Sequence, residues 1–367
     1  VTIQNIISVL LIITTIVIYS QLDFMKNKSL GFNSDNILVI QRPNRLRTNV
    51  QAFKDIINKN PDIISSTYSY GAPQMLVETM VYYTKENNVE ESYSVARFPT
   101  DFDFIDTYGL NLVKGRKLDK EFSTDSAAVV VNETALRVMG LNNPLEQEIY
   151  YSYEKDLPLK IVGVVEDFHT GPLQSPIRPT LVIINRDRPP MYYMIKYKAG
   201  KTKETIEFVK EKWNEFLPGE VLDYNILNDH IKTQYKSEDQ AGKLILVFAL
   251  LSILIASLGL FGMASYIANS KVKEVGIRKV LGATINGIFR VMIKEFFKWV
   301  LLANVIAWPI GYFVMNNWLQ NYAFKINLRI HIFIMAGIIS FVITFITVAY
   351  KVLKLSMINP TKCLRYE

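Results

Sequence analysis

Apolar positions follow two different patterns along this chain. At 2–20, 244–266, 297–318 and 330–352 they run almost unbroken, each run offering roughly the ~20 apolar residues with which a helix crosses ~30 Å of hydrocarbon. Between the first and second runs the pattern breaks into short pieces. Residues 37–40, 77–83, 93–96, 127–131, 149–153, 159–165, 181–184, 192–196 and 221–226 are β-rich, whereas 50–57, 102–108, 133–139 and 203–216 repeat at helical spacing. Pro61 stops the first of these helices, Gly109 and Gly140 close the next two, and Asn132 is a good N-cap. The pattern predicts an α+β membrane protein: four transmembrane helices with a large extracytoplasmic α/β domain of two small lobes between helices 1 and 2.

The predicted organisation is a first transmembrane helix at 1–21, an external domain at 22–242 ending in a helical stalk, and a membrane domain at 243–367. The membrane domain holds helices at about 244–268, 296–318 and 330–353 and an elbow at 270–294. From Asp229 the polar sequence HIKTQYKSEDQAGK enters the second span without a proline, so the stalk is predicted to continue it. In the elbow, Val275, Val280, Leu281, Ile285, Ile288, Phe289 and Met292 recur at mostly three- and four-residue intervals, with Arg278, Lys279 and Arg290 on other faces. That predicts an amphipathic helix pair broken at Gly282, which fits both a helix lying among lipid headgroups and a surface that meets a soluble partner. Asn304 and Pro309 fall in the third span; Gly337, Ser340, Thr344 and Thr347 in the fourth suit close helix packing.

Charge sharpens this picture. Residues 1–21 carry none, 22–242 hold 27 Lys and Arg against 31 Asp and Glu, and 243–367 hold 14 against 3, so the net +7 belongs to the membrane part. A nucleic-acid binder would concentrate its cations on the soluble domain, and that class is set aside; the expected surroundings are a lipid bilayer. The elbow carries Lys271, Lys273, Arg278, Lys279, Arg290, Lys294 and Lys298, and the tail Lys351, Lys354, Lys362 and Arg365. Both are expected on the cytoplasmic side, which puts 22–242 outside. No charge lies near the middle of a span, which argues against an ion-coupled transporter or proton pump. The lone Cys363 sits in the tail, leaving the external domain to its own core. The first span begins at residue 1 without Met, a basic flank or a cleavage site; a fragment starting at a membrane helix is expected, the other reading being a short uncleaved anchor.

Candidate chemistry is sparse. Gly200, Lys201 and Thr202 imitate the end of a phosphate-binding loop, but the first glycine such a loop needs would stand at Ile195. His169, His230 and His331 lie far apart without ligand spacing, so no metal site is expected. Glu166, Asp167, Phe168 and His169 form the one acid and imidazole cluster; with no paired nucleophile, a strand-ending turn is expected instead of catalysis, and the chain is not expected to be an enzyme.

Five segments resemble the FtsX-like permeases, the membrane subunits of the MacB class of ABC transporters. They are IYSQLDFMKNKSLGFNSDNILVI (18–40), FIDTYGLNLVKGRKLDKEFSTDSAAVVVNETALRVMGL (104–141), IVGVVEDFHTGPLQSPIRPTLVI (161–183), GLFGMASYIANSKVKEVGIRKVLGAT (259–284) and NPTKCLRYE (359–367). The resemblance implies a four-helix permease unit whose first two helices bracket a MacB-like periplasmic core domain with Porter-like and Sabre-like lobes, in a bacterial cytoplasmic (inner) membrane. It implies that an ABC ATPase subunit docks on the elbow, through Lys273, Glu274, Gly276, Ile277, Arg278, Lys279, Leu281, Gly282 and Ala283, which match the family signature. No cofactor is expected in this chain, ATP being bound by that partner. The chain is similar to the second half of members with two such units, so a second permease unit is a further implied partner, with a periplasmic adaptor or outer-membrane channel as others. The implied work is external movement driven by ATP, such as efflux of peptides, drugs or lipoproteins. The rival reading is a regulatory or sensory membrane protein that controls a cell-wall hydrolase or a peptide-antibiotic response without transport.

Overall fold

The computed structural model describes the whole chain except positions 1, 87–88, 153, 186–187, 272–273, 275–276, 279–280, 282 and 357–367. It divides into two compact units, Lys28–Tyr235 and the paired segments Val1–Asn27 and Lys236–Glu367. After α1 (Thr2–Asn27) come β1 (Ile37–Gln41), α2 (Val50–Ile57), β2 (Ile63–Ser69), β3 (Glu78–Glu86), β4 (Val89–Thr100), α3 (Phe104–Tyr108), β5 (Leu112–Gly115), β6 (Ala128–Asn132) and α4 (Glu133–Val138). Then follow β7 (Glu148–Tyr151), β8 (Glu154–Val165), β9 (Thr180–Ile184), β10 (Tyr192–Tyr197), α5 (Thr202–Phe216), β11 (Tyr224–Ile226) and α6 (Leu227–Gln234). The remaining helices are α7 (Lys236–Ser270), α8 (Ile285–Leu319) and α9 (Ile330–Ser356).

The external unit consists of two lobes. In the first, β11, β1, β10 and β2 pair antiparallel in that order. The register sets Leu38 opposite Ile195 and Ile40 opposite Tyr193, so one face of alternate residues is apolar. That face buries Phe53 and Ile57 of α2 and Val209 and Trp213 of α5, with Phe53 edge-on to both Tyr193 and Trp213.

In the second lobe the order β4-β3-β7-β8-β6-β9 returns to its start, because β9 also pairs in parallel with β4. The closed ring encloses Tyr82, Val95, Val129, Val131, Ile149, Ile161 and Leu181. The lobes join through one strand pair, Ser69 with Thr100.

Two strands were not legible in the hydrophobic pattern. β2 reads IISSTYS, and its buried Ser66 and Thr67 are made tolerable by bonds: the Ser66 hydroxyl to Tyr193 at 2.7 Å, and the Thr67 hydroxyl donated to Asp101. β5 is an exposed edge strand on β8 and lacks a buried face. The stalk also differs from expectation: helix α6 stops at Gln234, and Tyr235, whose N–H bonds to the carbonyl of Lys232, separates it from α7.

The other unit contains four helices long and apolar enough to cross a membrane. They begin or end beyond the limits read from the sequence, since α1 runs on to Asn27, α7 starts at Lys236 and α8 at Ile285. Polar residues at these ends continue the helices; hydrophobicity marks only the part suited to lipid. The structural boundaries therefore fall at 27/28 and 235/236, instead of 21/22 and 242/243.

The bundle packs Val9, Ile13 and Val17 of α1 against Ala307 and Met315 of α8 and Phe333 and Ala336 of α9. A Cβ on Gly311 would come within 3.1 Å of Ile13, so its bareness permits the close approach of α1 and α8. Two neutral amides fasten the bundle. Gln21 donates to the carbonyl of Phe324 and accepts from the N–H of Ile326, both at 2.9 Å. Asn304 donates to the Val300 carbonyl and the Ser340 hydroxyl and accepts from the Trp308 indole.

Candidate functional site

The elbow lies between α7 and α8. Past the end of α7, the Lys271 N–H still bonds to the Ile267 carbonyl at 2.9 Å, and its ammonium reaches Glu295 of α8 at 3.2 Å. Glu274 and Arg278 pair at 2.7 Å one helical turn apart, with the acid on the N-terminal side, the favourable order. The Leu281 N–H meets the Ile277 carbonyl at 3.0 Å, and the Ala283 N–H that of Arg278 at 2.9 Å. Thr284 then caps α8, its hydroxyl accepting from the Gly287 N–H at 3.2 Å. The second half of the expected helix pair is thus the first turns of α8 itself, which begins twelve residues before its hydrophobic run at 297–318.

Of the nine residues singled out from the sequence, Glu274, Ile277, Arg278, Leu281 and Ala283 are described, and Lys273, Gly276, Lys279 and Gly282 lie outside the described residues. Among the described ones, Glu274, Ile277, Arg278 and Leu281 recur at the three- and four-residue spacing of one helix face. Ile277 and Leu281 are four apart and share a face, as do Glu274 and Arg278. Both apolar members are open, Ile277 at 52% and Leu281 at 80% exposure. Two exposed aliphatic side chains beside an ion pair make a small ridge that could seat in an apolar groove with a polar rim.

The acid and imidazole cluster at 166–169 has structural duties. The Asp167 carboxylate accepts from the N–H and hydroxyl of Thr134, at 2.7 and 2.8 Å, and from Arg137, fixing the first turn of α4. Burial, with a contribution from Lys28 and against the pull of Asp167, drops the pKa of His169 to about 4, so the ring is neutral at pH 7. Gly200 adopts φ +79° and Lys201 is the N-cap of α5: the GKT segment is a turn into a helix.

A polar centre that the sequence pattern does not single out lies beside the lobe junction. Lys54 of α2 is buried and bonds to Asp101 at 2.5 Å and to Asp103. Burial alone would pull this ammonium down, but Asp101 and Asp103 outweigh it and hold it above the ordinary lysine value. The group borders a cleft of about 480 Å³ lined also by Tyr68, Lys117, Asp119 and Asn185. The sequence signal was faint, the two aspartates of FPTDFD standing far from their lysine in the chain.

Residues 246–360 match the family described as FtsX-like permease C-terminal, and residues 6–208 match the MacB-like periplasmic core domain. The periplasmic region of MacB from Actinobacillus actinomycetemcomitans aligns at 16% identity and TM-score 0.41, covering 56% of this chain and 94% of that one. The extracellular domain of the ABC-type transporter YknZ from Gram-positive bacteria aligns at 14% identity and TM-score 0.38, covering 52% of this chain and 98% of that one. No curated protein matches the chain.

Proposed function

This chain belongs to the FtsX-like permeases with a MacB-like periplasmic core domain, ABC transporter membrane components, and from that premise we propose that it couples ATP hydrolysis by a separate ATPase to movement of its external unit. The observation that carries this reading is the elbow: Ile277 and Leu281 are open beside the Glu274 and Arg278 pair, in a segment flanked by two membrane-length helices. Buried in hydrocarbon, that ion pair would be costly; against a soluble subunit it forms a polar rim. The basic elbow faces the cytoplasm of a bacterial cell in this reading, where ATP is available, and the external unit lies across the cytoplasmic membrane. Work is done on that outer side, on a substrate such as a peptide, drug or lipoprotein, by a transporter holding two permease units.

The test is co-purification in detergent of the full chain with the ATPase encoded beside it, for the wild type and for an Arg278→Glu, Leu281→Asp variant. Wild type should retain the ATPase and stimulate hydrolysis, and the variant should lose both while keeping its own melting temperature. Equal retention by the two proteins would remove the elbow from the interface, and no retention by wild type would favour a regulatory membrane protein.

A further inference from the structure

The chain enters the external unit at Lys28 and leaves it at Tyr235, and residues beside both ends bond to one short loop after β8. The His169 N–H donates to the Leu30 carbonyl at 2.8 Å, and the Leu173 N–H to the Tyr235 hydroxyl at 3.1 Å. Gly31 presses on the same loop with φ +79°; a Cβ there would stand 2.3 Å from the Asp167 carbonyl oxygen.

Gln74 lies at the centre of these bonds, 2% exposed and far from the loop in sequence. Its backbone N–H donates to the Thr170 carbonyl at 2.8 Å. Its side-chain NH2 spends both hydrogens on the loop, on the carbonyls of His169 at 2.9 Å and Gly171 at 2.8 Å. Its backbone carbonyl accepts from α6, from the Gln234 side-chain amide at 2.6 Å and the His230 ring at 3.1 Å. A neutral side chain can donate twice only as an amide, and asparagine is shorter by one methylene. The backbone is left-handed at φ +66°, a conformation that a residue with a side chain keeps only where its surroundings demand it.

We propose that Gln74 is a positioning residue that joins α6, the 72–76 turn and the loop after β8 into one mechanical part, so that a displacement of α6 is imposed on β8 and through it on the closed ring. The permease reading enters in one respect alone: it identifies α6, directly preceding α7 in the chain, as the place where membrane movement arrives. The joining stands on the five bonds, three to the loop and two from α6, whichever way the permease is driven.

Amide hydrogen exchange on the purified full-length chain in detergent, without any ATPase, tests the joining separately from the permease reading. Gln74→Gly keeps the left-handed backbone and its carbonyl but removes the two side-chain bonds to the loop. Exchange should accelerate about ten-fold at 169–173 and, by coupling, at 227–235, while β6 and β8 stay protected. Acceleration confined to 169–173, or none in either segment, would overturn the proposal. If Gln74→Gly opens the entire unit, Tyr235→Phe decides, since it leaves Gln74 in place and removes the acceptor for Leu173: the same two segments must loosen together, and loosening of one alone refutes the joining.

Discussion

The two units of this chain handle polarity in opposite ways. In the external unit, full charges are buried and matched: Lys54 with Asp101, Arg97 with Glu78 at 2.5 Å, and Arg116 in a two-point grip on the fully buried Asp125. The Arg116 bonds hold the Asp125 carboxyl below the usual range. In the membrane unit, the buried polar side chains among the described residues are neutral: Gln21, Asn304, Ser340 and Ser8, the last bonded to Ser252 at 2.9 Å. The difference follows from the solvent each unit is built against. Water stabilises both ions of a pair in the unfolded external chain, so burying them demands close matching. Hydrocarbon offers no such reference, and an amide that closes its own bonds costs far less there than an ion.

The largest test of that contrast is to break one partner of an external pair. Lys54→Met leaves Asp101 buried without its cation and should cost about 3–5 kcal/mol in denaturant unfolding of the full chain. Lys54→Met with Asp101→Asn, which removes the charge but keeps an acceptor for the buried Thr67 hydroxyl, should recover most of it, and failure to recover would show that the pair contributes more than its mutual neutralisation. A smaller loss is expected in the membrane unit, where Asn304→Leu removes the bonds to Ser340 and Trp308 together and should cost roughly 0.6–2 kcal/mol. A loss as large as that of Lys54→Met would erase the distinction between the units.

The finest test uses pH. His169 holds its proton less tightly folded, near pH 4, than unfolded, near 6.5. Between these values the unfolded chain binds the extra proton, so the His169 share of stability is full above about pH 6.5 and falls away toward pH 4. Melting temperatures at pH 7 and pH 5 should therefore differ less for His169→Gln than for wild type; an unchanged difference would mean that the imidazole is not kept neutral by burial.

How much of this could be read from sequence depended on whether a residue's partners were local. Helices α5 and α9 and strands β1, β6 and β10 announce themselves by uninterrupted or periodic apolar residues, because their burial is written in neighbouring positions. β2 does not, since its buried serine and threonine are satisfied by Tyr193 and Asp101 from distant segments. Lys54 carries no sequence signal of its role for the same reason, its carboxylate partners lying in a distant segment. The elbow was legible through its charge and its family signature, but its second helix merged with α8 because a hydropathy pattern registers where lipid begins, and the helical bonding continues past that point. Gln74 had no local signal: a left-handed glutamine that serves three segments is visible only when those segments are folded together.

The ring of the second lobe has a further consequence for a domain displayed outside a membrane. A strand with unpaired backbone groups is a template on which another chain can crystallise into a shared sheet. Closing β9 onto β4 withdraws many such groups from that lobe, where β5 is only four residues long; in the first lobe β11 is three residues long, and β2, joined to β4 only at Ser69, keeps the longer open edge. Copies crowded on one membrane surface can therefore collide ring to ring with little opportunity to knit together, and backbone pairing between them is left to the first lobe.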